Sequence, residues 1–110
     1  MARRPEITQV EILAAIQKPS LRIVERATVE GKDVRGHIDG EDIVIGKRDH
    51  AGVPDDIVLT AVHEILHFLR PDASERWVKH RELRWFSDDK VRAAVAIRLL
   101  GAALFPERTD

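Results

Sequence analysis

The chain has 110 residues, 44% of them hydrophobic, and eighteen Lys and Arg oppose nineteen Asp and Glu for a formal charge of -1. That is the balance of one small globular domain, 1–110; it excludes a disordered tail and gives no global electrostatic pull towards nucleic acid or an anionic membrane. Cysteine is absent, which excludes disulfides, thiolate zinc sites, iron–sulfur clusters and a thiol nucleophile, and leans towards a cytoplasmic protein.

The basic start, Met1 to Arg4, runs into Pro5, Glu6, Ile7, Thr8 and Gln9, where a signal peptide needs an apolar run. Ile7, Val10, Leu13 or Ala14, and Gln17 recur at helical spacing before Pro19, which predicts a short amphipathic helix over 7–17. Three strand-like runs follow, 21–29, 34–38 and 42–46, with Gly- and Asp-containing turns between them. Such turns between short β-branched runs predict an antiparallel meander. Arg35, Gly36, His37 and Asp39 read there as hairpin chemistry, and 47–52 as a loop.

Pro54, Asp55 and Asp56 suit the first turn of a helix. Residues 57–69 continue it, apolar on nearly every side except at Thr60, His63, Glu64 and His67, so it belongs at the centre of the fold. Arg70, Pro71 and Asp72 end it. Ser74 is suited to cap a helix over 75–86, and Ser87 one over 88–104 that Pro106 closes. Residues 91–105 are interrupted by Arg92 and Arg98 and are too short to span a bilayer. The apolar character of that segment fits core packing or a homodimer contact. The expected class is α+β: an N-terminal helix, a small three-stranded antiparallel sheet, and three further helices on one face of it.

The central helix contains His63-Glu64-Ile65-Leu66-His67, the H-E-x-x-H pattern. Residues four apart share a helix face, so two imidazoles can bind one metal ion there. Glu64 borders that face and can serve as general base towards a water on the metal, passing the proton to a leaving amine. Zinc, one ion per chain, fits two histidines and a carboxylate with an open fourth position. A chance match in a chain of this composition has a probability of about 2%, and two histidines and a glutamate on a strongly apolar helix need a reason; the alternative to a metal site is a polar stripe that merely faces a wet cleft.

A third ligand has to come from Asp72, Glu75, His80 or Glu82. Glu75, Val78, Glu82 and Trp85 fall on one helix face. Glu75, just past the turn after His67, is the first choice, and Glu82 the second. The metzincin continuation is missing, since Arg70 and Ala73 stand where that motif has glycine and its third histidine.

With these residues the chain resembles the gluzincin metallopeptidases, and in size and element order the minigluzincins. The stretch from His63 to Glu75 is similar to small bacterial and phage-type metallopeptidases. The resemblance implies zinc on His63, His67 and a downstream Glu, with Glu64 as base and a peptide or protein as substrate. It implies that strand 42–46 is the edge that pairs with an extended peptide. Related enzymes stabilise the transition state with Tyr or His; this chain has no Tyr, which leaves His80, His50, His37, Arg81 and Arg84. A second carboxylate orienting a ligand is expected at Lys79 by position and falls instead to Glu82. Latency through a terminal segment is implied as well, with Glu107 and Asp110 in the tail 106–110 as the covering groups.

Trp77 and Trp85 fit core packing better than pocket walls. Arg76, Lys79, His80, Arg81 and Arg84 fit a solvated face better than a nucleic-acid surface. The rival to a peptidase is a zinc-stabilised, non-catalytic binding or regulatory module, whose metal would be closed by a fourth protein ligand.

Overall fold

The computed structural model describes residues 6–18, 20–24, 27–40, 42–46 and 54–104. His50, the loop 47–52 and the tail carrying Glu107 and Asp110 lie outside them. The described chain is an α+β fold with the order α1 (Gln9–Ile16), β1 (Ser20–Val24), β2 (Ala27–Val29), β3 (Lys32–Val34), β4 (Gly36–Asp39), β5 (Asp42–Gly46), α2 (Pro54–Leu69), α3 (Glu75–Phe86) and α4 (Asp89–Leu104). No helix among the described residues is long and apolar enough to cross a membrane.

The expected three-stranded meander is corrected. Its first run divides into β1 and β2, and β2 closes on β3 as a hairpin with Ala27 opposite Val34 and Val29 opposite Lys32. Glu30 and Gly31 turn that hairpin with φ of 52° and 79°, the positive values that a two-residue connection of this hand requires. A separate three-stranded sheet has the order β1-β5-β4 and is mixed: β1 runs parallel to β5, with Leu21 opposite Ile43, and β4 runs antiparallel to it. The turns follow local chemistry that the sequence displays. The parallel pairing joins residues twenty-two positions apart, as Ser20 with Asp42, and leaves no local signature.

Strand β5 therefore lies in the middle of its sheet, not at the edge. Ile43, Val44 and Ile45 are all buried, as expected of a strand covered on both faces. Among the described residues β4 is an edge strand beside α2.

Helix α2 packs against α1, α3, α4, β4 and β5. Val58, Ala61, Val62, Ile65 and Leu66 recur at three- and four-residue spacing along its buried side. In α1 the buried residues are Ile12, Ala15 and Ile16, whereas Val10 is exposed. The stripe expected through Val10 is thus displaced around the helix. Thr8 caps this helix in a capping box with Glu11, so Ile7 precedes the helical turn and its spacing to Val10 is not helical.

Ser74 caps α3 by accepting from the Trp77 amide at 3.1 Å. Ser87 does not cap α4; it terminates α3, and Asp88 accepts from the Val91 amide at 3.0 Å instead. In α4 one side, Val91, Val95 and Leu99, enters the core, and Ile97 and Leu100 are exposed on the other.

Gly46, at the end of β5, leaves no room for a side chain: a Cβ there would stand 2.9 Å from the Ala27 backbone nitrogen and 3.1 Å from the Val34 carbonyl oxygen. Gly46→Ala must push the β2–β3 hairpin off the sheet. Its expected cost is about 1–3 kcal/mol, seen as a lower urea midpoint; an unchanged midpoint would show that the hairpin is not packed this way.

Candidate metal centre

The site is built where α2 meets α3. Residues 70–74 reverse the chain: Arg70 closes on the Leu66 carbonyl, Pro71 cannot extend the helix, and the Ala73 amide donates to the Arg70 carbonyl at 3.0 Å. Ser74 then starts α3, so Glu75 is its first residue and returns at once to the His67 end of α2. On α2 itself Thr60, Glu64 and His67, with His63 beside them, form a polar stripe next to the buried one.

His63 Nε2 lies 3.1 Å from Glu75 Oε2, and His67 Nε2 lies 2.6 Å from Glu75 Oε1. His63, His67 and Glu75 each offer one ligand atom, all within 4.8 Å of one another. The two imidazole rings meet edge to face with centroids 4.9 Å apart.

Glu82 approaches the far side of the first ring, its Oε2 2.6 Å from His63 Nδ1. A carboxylate only accepts, so it fixes the proton on Nδ1 and turns the Nε2 lone pair towards Glu75. His67 Nε2 is buried and, despite its nearness to Glu75, has no partner in hydrogen-bond geometry. A nitrogen lone pair facing a carboxylate, and a second buried nitrogen left without a bond, are unfavourable contacts on their own. A divalent cation among the three atoms makes them favourable, and two histidines with one carboxylate are the donor set of catalytic zinc. The residues present fit that metal.

A cleft of about 360 Å³ opens beside the donors, lined by Arg35, Gly36, Leu59, Thr60, His63, Glu64, Glu75, Lys79 and Glu82. The His63 and His67 side chains are 17% exposed, and that of Glu75 is 66% exposed. The donor cluster is therefore rooted in the core and open to solvent on the α3 side. Among the described residues no fourth ligand joins it.

Glu64 is buried in the cleft wall. Burial pushes its carboxyl pKa above the usual 4.5, against the opposing fields of His63 and His67. The neighbouring strand contributes Gly36, where an added Cβ would stand 3.0 Å from Thr60 Cγ2 and 3.4 Å from Glu64 Cγ. Glycine at that position lets the β4 backbone lie directly against the helix face bearing Glu64.

The other candidates separate from the donors. His80 is exposed and faces recesses on the outer side of α3. Arg81 is bound by Glu6, with 3.0 Å from its Nε to Oε2, and lies 3.9 Å over the Trp77 ring. Arg84 lies 5.1 Å over Trp85, which is buried in the core. Neither tryptophan lines the cleft. His37 sits on β4 close enough to favour ionisation of Glu64 slightly. Asp72 is outside the donor group.

Arg35, Gly36, Thr60 and Lys79 line the cleft without having been singled out as site residues. For Lys79 a signal existed, four residues past Glu75 on the same face. For Arg35 and Gly36 none did, because their position follows from sheet pairing.

No known family model matches the chain, and no curated protein or solved structure matches it either. The chemistry of the site has to be argued from its geometry.

Because the folded pKa of Glu64 is raised, its protonated form favours folding. That contribution is complete below about pH 4.5 and is lost as pH rises through the folded value. In metal-free protein, Glu64→Gln should match wild type in urea stability at pH 4 and exceed it at pH 7. An equal difference at both pH values would mean that the carboxyl is not desolvated.

Proposed function

We propose that the chain is a zinc metallopeptidase of the gluzincin kind, with His63, His67 and Glu75 as zinc ligands and Glu64 as general base. The single observation that supports it best is the convergence of His63 Nε2, His67 Nε2 and both Glu75 oxygens at the wall of an open cleft that also holds Glu64.

Bound there, zinc would polarise a peptide carbonyl and acidify a water molecule. Glu82 holds His63 in the tautomer that presents Nε2. Glu64 takes a proton from the attacking water and returns it to the departing amine. Its buried setting raises its proton affinity above that of an ordinary carboxylate, which favours taking up the proton of the water. The β4 edge, close to Glu64 at Gly36, offers backbone groups along which an extended peptide can add as a further strand. Three ligands among the described residues, one of them an accessible carboxylate, favour this reading over a zinc-stabilised binding module, which would need a closed four-ligand site.

Elemental analysis of the purified protein should find one zinc per chain, retained in Glu64→Gln. Hydrolysis of a mixed peptide library should fall about 10²–10⁴-fold in that variant, the usual contribution of a positioned acid–base group. Full activity in Glu64→Gln would remove it as the base. Zinc retention with no cleavage by the wild type would favour the non-catalytic module.

A further inference from the structure

Two cationic side chains outside the donor set open onto the same cleft: Arg35, just before β4, and Lys79, one turn beyond Glu75 on α3. The depression continues over α3, where Glu75, Arg76, Lys79 and His80 line a second recess that shares Glu75 and Lys79 with the first. Arg76, Lys79 and His80 are exposed.

Lys79 stands four residues after Glu75 and three before Glu82, the spacings at which ion pairs form on a helix. Both glutamates are instead directed at histidines. Among the described residues Lys79 has no carboxylate within 4.0 Å, so no direct ion pair holds its ammonium at the groove.

We propose that this cationic lip selects peptides carrying acidic side chains beside the bond to be cleaved, with Lys79 as the principal contact. The proposal rests on the peptidase reading above and names its substrate class. A peptide brings a carboxylate at one position while its backbone remains neutral, so it can meet Lys79 without approaching Glu64, Glu75 and Glu82. A nucleic acid carries a charge at every phosphate and would meet those three carboxylates in the same cleft. Neither tryptophan offers it a stacking platform: Trp85 is buried, and Trp77 is covered by Arg81.

Zinc-loaded Glu64→Gln protein, which holds substrate without turning it over, tests this by fluorescence anisotropy. Two labelled extended peptides are compared, identical except that one has Glu and the other Gln on both sides of the central bond. The Glu peptide should bind about fivefold more tightly at low salt, with the preference shrinking at high salt, as for exposed charge pairs. Adding Lys79→Gln should abolish most of the preference, and Lys79→Glu should invert it. Zinc content and thermal unfolding report that each variant is folded.

Equal binding of the two peptides, or a preference that survives Lys79→Gln, would overturn the proposal and leave the peptidase reading standing. So would a single-stranded oligonucleotide that displaces the Glu peptide and binds more tightly. If neither peptide binds although zinc is held, the peptidase reading fails and the acidic preference fails with it.

Discussion

Two imidazole nitrogens drawn onto one carboxylate need a positive charge among them, either a metal ion or a proton on a ring nitrogen. In this chain His63 and His67 both meet Glu75, at 3.1 and 2.6 Å, and Glu82 fixes the orientation of the His63 ring from behind. The arrangement depends on the five-residue reversal at 70–74. A longer connection would let α3 start elsewhere. This one sets Glu75 at the first turn of α3, opposite the last turns of α2.

The rest of the fold supports that corner. Helix α2 is anchored by an apolar side packed on three helices and the sheet, which leaves its polar stripe no freedom to rotate away. The segment 6–11 ties the surrounding helices together. Glu6 pairs with Arg81 on α3, Gln9 donates to Asp88 at the start of α4, and Glu11 pairs with Arg70 at the end of α2. Exposed pairs of this kind contribute little individually, but they connect the segment 6–11 to α2, α3 and the start of α4. Strand β4 closes the cleft from the opposite side, and Gly36 allows its close approach.

Much of this was legible in the sequence because it is local. The helix limits at 54–69 and 75–86 follow from Pro54, from Arg70-Pro71 and from Ser74. The i, i+4 spacing of His63 and His67 announces a shared face, and the position of Glu75 just after a tight turn announces its return to that face. The differences have three separate causes. Pairing β1 in parallel with β5 is a non-local event, and it moved the edge of the sheet from 42–46 to Gly36–Asp39. Val10 was misplaced because the Thr8 cap shifts where the helix begins. Asp88 takes the cap expected of Ser87, one residue further on, because both residue types are good caps and Ser87 is used to end α3.

The central claim is that one metal ion sits between two helices on ligands from both. An anomalous difference map at the zinc absorption edge, from crystals grown with zinc, addresses it most directly. The account predicts one strong peak per chain, in contact with His63 Nε2, His67 Nε2 and a Glu75 carboxylate oxygen, with Glu82 still on His63 Nδ1. No peak in this corner, or a peak enclosed by four protein ligands, would contradict it.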